Sequence, residues 1–268
     1  MTALIEFLRL IVDRRQLVWE MASREVTERY SGQVLGVLWA VGHPLIVIGV
    51  YLFVFKYVFR MNVGGTPDMP MDYAVYLLAG LIPWVTVQDV ASKTTVSIKS
   101  HTSLVKQAIF PSEVLPVKTV LASLLAQVVS TTALIIYVLG KYQTPPWTYA
   151  LVPVLFVIQV GGLIGFGLLL SAFGVFVRDL KDVVQVATVI GLYLLPVFYL
   201  PAMVPAAFRP LLYLNPFSYL IWCYQDVYYF GRFEHPVAWV VLATMSLAVL
   251  VAGATVFRRL KPAFGNVL

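Results

Sequence analysis

LPAMVPAAFRPLLYLNPFSYLIWCYQDVYYFG, residues 200–231, is aromatic and apolar throughout, yet Pro201, Pro205, Pro210 and Pro216 interrupt it every few residues. A proline inside a helix lacks the amide donor and clashes with the preceding turn, at about 3 kcal/mol each. A continuous helix is therefore excluded. Two short helices that dip into an apolar layer and return on the same side satisfy the composition, provided protein or a water-filled cavity covers the irregular backbone. The choice between crossing and folding back fixes the side on which the chain ends, because Arg258, Arg259 and Lys261 follow the next apolar run.

Composition points the same way. The 268 residues are 60% hydrophobic and only 12% charged, with a mean hydropathy of +0.85, too few charges to coat a soluble globule. Apolar runs at 34–58, 73–91, 115–139, 147–177, 183–200 and 236–257 approach or exceed the roughly 20 residues that span a bilayer, and Pro44 should kink the first. Residues 2–30 place Phe7, Leu10, Ile11, Val18 and Met21 at helical spacing among many charges. Such a helix lies on a membrane surface, or else covers the protein's own core. A turn-rich loop at 61–70 reverses the chain, and a polar stretch follows at 92–113. The expected architecture is an all-α integral membrane protein forming a single domain over 1–268. It has six transmembrane helices, an N-terminal amphipathic interfacial helix at 2–30 and a re-entrant helical hairpin at 201–231, between spans five and six.

Charge decides the orientation. If 201–231 folds back on the outer side, the outer segments hold Lys56, Arg60, Lys141, Arg209 and Arg232, and the other 14 of the 19 Lys and Arg residues are cytoplasmic, as the positive-inside rule requires. A seventh span at 201–222 would put the basic tail outside. Both termini are thus expected in the cytoplasm, in the inner (plasma) membrane, and the net charge of +6 reflects topology rather than nucleic-acid binding. Glu6, Arg9 and Asp13 interrupt any signal-peptide core. Cys223, the sole cysteine, is an inert packing residue.

Several chemistries lack their parts. The sequence has no G-x-x-x-x-G-K-[ST] phosphate loop, so ATP is not bound by that route. It has no H-E-x-x-H, C-x-x-C or G-x-S-x-G motif, and His43, His101 and His235 are far apart in sequence. An ion relay needs titratable groups within the spans. The candidates are Asp89, within i,i+4 reach of Lys93, and His43, which reads as a hydrogen-bonded helix histidine beside Pro44. Asp226 and Glu234 are the acids of the 201–235 region, with no carboxylate pair suited to glycan processing. Catalytic, cofactor-binding and metal-binding residues are therefore expected to be none, and energy must come from a separate protein.

Residues 24–44, REVTERYSGQVLGVLWAVGHP, resemble the R-[DE]-x-x-x-R-Y-x-x-x-x-L-G-x-x-W-x-x-x-x-P signature that opens the permeases of ABC-type polysaccharide exporters (type 2 ABC exporters). Phe176-Val-Arg-Asp-Leu-Lys-Asp182 is similar to that family's F-x-R-D-[IL]-K-[DE] connection, and Tyr213-Leu-Asn-Pro216 to its Y-x-N-P element. The resemblance covers nearly the whole chain. It implies a homodimer bound to two copies of a cytoplasmic ABC ATPase that carries ATP and Mg. The cargo would be a lipid-linked polysaccharide such as O-antigen, capsule or teichoic acid, and the resemblance leaves room for periplasmic export partners. Arg24, Glu25, Arg29, Lys106, Arg178, Asp179 and Lys181 would then meet the ATPase, as rim charges suited to a soluble partner.

The family's channel is lined by aromatics. Tyr51, Tyr57, Tyr193, Tyr199, Tyr213, Phe217 and Trp222, with Asn215 and Pro216 of the Y-x-N-P element, are the corresponding channel and gate candidates. Phe198, Tyr219, Tyr224, Tyr228 and Tyr229 belong to the same aromatic set, and an interfacial aromatic belt accounts for such residues equally well. Gly161 and Gly165 form a G-x-x-x-G pair suited to close helix approach within the subunit. A type 2 ABC exporter of a drug or small lipid would share this architecture, and an ion-coupled carrier or channel acting alone is the rival from another class.

Overall fold

Several breaks between helices fall at glycine or proline, whereas Pro44, Pro83 and Pro262 lie inside helices. The computed structural model describes residues 2–58, 70–106 and 110–268, and no strand occurs among the described residues. In chain order the α-helices are α1 Thr2–Asp13, α2 Arg15–Tyr30, α3 Trp39–Leu52, α4 Tyr73–Ser97, α5 Thr102–Val105, α6 Val114–Tyr142, α7 Val152–Phe176, α8 Leu180–Leu194, α9 Arg209–Leu214, α10 Pro216–Gln225 and α11 Pro236–Val267. A π-helical turn, Phe53–Val58, prolongs α3, a 3-10 turn, Trp147–Leu151, leads into α7, and a second π turn, Asp226–Phe230, follows α10. Tyr73–Ser97, Val114–Tyr142, Trp147–Phe176 and Pro236–Gly265 are long and apolar enough to cross a membrane, and Trp39–Phe55 is apolar but shorter. Arg60, the expected turn at 61–69 and residues 107–109 of the polar stretch lie outside the described residues.

Three boundaries differ from the sequence reading, each for a local reason. The N-terminal segment is two helices, broken at Arg14 (φ −103°, ψ 20°). The first apolar run becomes regular helix only at Trp39, because Gly32 (φ +79°) and Gly36 (φ +49°) sit in the left-handed region that suits glycine. The fifth run stops at Leu194 rather than reaching Leu200. Leu195 precedes Pro196 and is extended (φ −95°, ψ 152°), the conformation that a following proline imposes.

Helix α4 is the hub, buried along most of its length and touching α6, α7, α8 and α10. Helices α7 and α11 form the most extensive pairing, and glycine makes it possible. A β-carbon at Gly253 would stand 2.2 Å from the Gly165 carbonyl oxygen, so the backbones touch there. Gly161 faces open space, so the close contact runs between Gly165 and Gly253 across two helices instead of along a G-x-x-x-G face. Gly174 likewise admits the Thr95 carbonyl of α4, 2.0 Å from where a β-carbon would be.

At one end of the bundle, Phe7 of α1 and Val18 of α2 are buried in a cluster with Leu115, Leu168, Phe257 and Phe264, and Glu6 pairs with Arg258. The N-terminal segment therefore covers the protein's own core. It still leaves Ile5, Leu8, Val12 and Trp19 exposed, apolar side chains suited to a membrane surface. At the opposite end lie α9, α10 and the start of α11. Residues Leu220 to Tyr229 are buried there against α4 and α11.

Candidate functional site

Irregular backbone survives in an apolar setting only if its polar groups are satisfied, and residues 195–235 meet that condition with side chains. The Tyr73 hydroxyl donates to the Phe198 carbonyl (2.8 Å), and the Tyr76 hydroxyl lies 3.2 Å from the Pro196 carbonyl and 3.0 Å from that of Tyr199. Gln225 Nε2 donates to the Pro196 carbonyl at 2.8 Å. Thr148 and Tyr149 hydroxyls serve the Val227 and Tyr228 carbonyls of the second π turn. Asn215 caps α10, its Oδ1 accepting the Phe217 amide at 3.1 Å, and Pro216 occupies the first helical position, where no amide is required. Asn215 and Pro216 thus separate α9 from α10. Asp226 is 1% exposed. It accepts from the His235 amide (3.1 Å) and Trp239 Nε1 (3.0 Å) and pairs with His235 Nδ1 (2.8 Å), which fastens the turn after α10 to the start of α11.

The channel candidates separate into groups. Tyr51 and Tyr193 both contact Phe198, at ring separations of 5.9 and 5.8 Å, and the Tyr199 hydroxyl donates to the Tyr193 carbonyl. These three form one aromatic patch with Phe55, which stacks on Phe198 at 4.6 Å. Tyr57 is exposed at the end of α3, near Phe53. Tyr213 stays 53% exposed while touching Trp222 at 5.1 Å. Trp222 is 2% exposed, stacked on His235 at 5.4 Å, so its ring lines no open surface in this conformation. Tyr224, Tyr228 and Tyr229 are also inside the core. Phe217 points the other way, onto Trp84 and Phe166, into an apolar cavity of about 230 Å³ between α7, α10 and α11.

A buried polar knot that the sequence reading passed over joins three of these elements. Gln127 Nε2 of α6 donates to Gln159 Oε1 of α7 (2.7 Å) and lies 2.9 Å from the Tyr224 hydroxyl of α10. Gln159 Nε2 returns a bond to Gln127 Oε1 at 3.1 Å, and Tyr224 donates to Gln159. The signal was present as two glutamines inside the apolar runs 115–139 and 147–177, since polar groups at such depth are costly.

At the end bearing α1 and α2, the ATPase-contact candidates divide. Arg24, Lys106, Arg178, Asp179 and Lys181 are exposed. Glu25 and Arg29 instead turn inward: Lys118 lies 3.3 Å from Glu25, and Arg29 Nη1 is 3.6 Å from Asp89 of α4. Asp89 also pairs with Lys93, the i,i+4 partner. Lys118 Nζ is 3.0 Å from His101 Nε2, so α2, α4 and α6 are joined by one charged network.

At the other end, Asp72 precedes α4 and accepts from Tyr137 (2.5 Å), Lys141 (2.6 Å) and the Val75 amide (3.3 Å). Burial opposes its charge, but Lys141, Tyr137 and the Val75 amide outweigh that and hold the carboxyl below its usual range.

Comparison with known proteins adds a family and several relatives. The family model described as ABC-2 type transporter matches residues 16–229. The chain is 28% identical over 265 residues to the O-antigen export system permease protein RfbA of Myxococcus xanthus, covering 98% of this chain and 99% of that one. It is 25% identical over 250 residues to a protein of the same name from Klebsiella pneumoniae, covering 92% and 93%. It is 22% identical over 252 residues to the polysialic acid transport protein KpsM of Escherichia coli, covering 88% and 90%.

Proposed function

Since the chain belongs to the ABC-2 type transporter family, we propose that it is the transmembrane subunit of an ATP-driven exporter that moves lipid-linked cell-envelope polysaccharide across the inner membrane. The observation that carries this reading is the match, over nearly full length, to permeases named for O-antigen export. Helices α3, α4, α6, α7, α8 and α11 serve as six spans. The end with α1 and α2 faces the cytoplasm, with both termini, and α9 and α10 form a re-entrant gate on the outer side.

Two copies of the chain enclose the path, and two copies of a separate ATPase drive it. In this reading the exposed Arg178 and Asp179 between α7 and α8 and Lys181 in the first turn of α8, with Arg24 and Lys106, meet that partner. The patch of Tyr51, Tyr193 and Tyr199, together with Tyr57 and Tyr213, offers aromatic faces and hydroxyls on which a sugar polymer can slide. Glycan export into inside-out vesicles tests the proposal. Transport should require both ATP and the separate ATPase; movement of glycan by this chain without any ATPase would overturn it.

A further inference from the structure

A cavity of about 400 Å³ opens between α2, α3, α4 and α6, within the roughly 300–1,000 Å³ of small-molecule sites. Arg29, Asp89 and Lys93 stand at its mouth, their side chains 24%, 32% and 32% exposed, so the mouth is open. Trp39 and Tyr30 supply aromatic walls, and Ser123 and Gln127 line the α6 side. Ser123 Oγ, on a residue 1% exposed, is buried without a partner, and Arg29 Nη2 and Asp89 Oδ2 are buried with no hydrogen bond, held only by long ion-pair contacts of 4.0 Å to Glu25 Oε1 and 3.6 Å to Arg29 Nη1. Buried polar atoms are nearly always hydrogen-bonded, so these three keep bonding capacity that an occupant of the cavity can use.

We propose that this cavity binds one sugar ring of the exported glycan as it enters; the inference rests on the exporter reading above. These under-bonded atoms are a donor (Arg29), an acceptor (Asp89) and a group that is both (Ser123). Sugar hydroxyls donate and accept in turn, and the apolar face of a ring stacks on an indole such as Trp39. An anionic lipid headgroup fits less well. Arg29 and Lys93 are already offset in part by Asp89, and a phosphate there would sit beside a carboxylate of like charge. Gln127, on the cavity wall, also hydrogen-bonds Gln159 and Tyr224, so the site shares a residue with the knot that holds α10.

The test uses the chain with its ATPase partner in phosphatidylcholine nanodiscs, titrated with methyl glycosides of glucose, galactose, mannose and N-acetylglucosamine while tryptophan fluorescence is read. At least one glycoside should give a saturable change in the millimolar range that is absent from Trp39→Phe. Ser123→Ala, which removes an atom with no partner in the fold, and Asp89→Asn should each weaken binding about tenfold, the loss of one good hydrogen bond. Absence of saturation with every glycoside, or unaltered affinity in both variants, refutes the sugar site. A response only to inorganic phosphate or to added phosphatidylglycerol refutes it too and reassigns the cavity to an anion. Wild-type export measured in parallel separates the two claims. Export without glycoside binding removes the sugar site alone, whereas no ATP-driven glycan export removes the exporter reading.

Discussion

Replacing Gly165 by alanine adds one methyl group where α7 and α11 touch. Its β-carbon would stand 2.4 Å from Leu250 Cα and 2.5 Å from the Val249 carbonyl carbon, about 1 Å inside ordinary van der Waals contact at 3.4 Å. Those atoms belong to backbone, so no rotamer change relieves the overlap and the helices must part by about 1 Å. Overpacking of this kind costs up to about 3 kcal/mol, and the better helix propensity of alanine returns about 1 kcal/mol, leaving a net loss of about 2 kcal/mol. For a chain of this size that corresponds to a thermal midpoint roughly 4–8 °C lower. Gly161→Ala is the internal control. It lies on the same helix four residues earlier with nothing within 4 Å, so it gains the propensity term alone and should melt at or above wild type. The assay is thermal unfolding of detergent-purified protein followed by size-exclusion recovery. Equal midpoints for Gly165→Ala and wild type, or an equal loss for Gly161→Ala, would show that the glycine contact does not limit this packing.

Gln159→Leu leaves Gln127 and the Tyr224 hydroxyl short of their shared partner; a loss of about 1 kcal/mol is expected, the scale of interhelical hydrogen bonds in membranes, with faster proteolysis near α10, and an unchanged midpoint with unchanged proteolysis would deny the knot a role. Because the Asp72 carboxyl titrates below its ordinary value of 3.8, its stabilisation is complete above the unfolded value and vanishes as pH falls through the folded one. The wild type should thus lose stability relative to Asp72→Asn only below about pH 4, and a difference unchanged down to pH 2 would contradict the clasp. Arg178→Ala combined with Asp179→Ala should abolish glycan export while the protein remains folded and inserted; normal export by the double variant would remove the α7–α8 connection from the path of energy coupling.

Helices α4, α6, α7 and α11 were legible because their apolar runs are long and clearly more hydrophobic than their surroundings, and prolines announced the breaks between 200 and 216. What escaped was set by tertiary contact. Nothing local distinguishes Gly165, which admits a helix backbone, from Gly161, which faces space. Glu25 and Arg29 look like Arg24 in the sequence, yet α2 turns them toward Lys118 and Asp89 and leaves Arg24 exposed. The early end of the fifth run could have been read from Pro196 alone, by the restriction that proline places on the residue before it.

The aromatic abundance of 195–235 and its surroundings has two causes, and the hydrogen bonds separate them. Breaking a helix with prolines strands carbonyls at apolar depth, and long phenolic side chains can reach them without bringing a charge. Tyr73, Tyr76 and Tyr149 do so, and Tyr224 closes the glutamine knot. Those rings are committed to the fold, and their loss should register first as instability. Tyr193 and Tyr213 present more than half of their surface, and the contacts of their backbone carbonyls with Tyr199 and Tyr219 leave the rings turned outward. If the polymer slides on exposed rings as proposed, export defects without loss of stability should concentrate at Tyr57, Tyr193 and Tyr213 and be absent at Tyr73 and Tyr76.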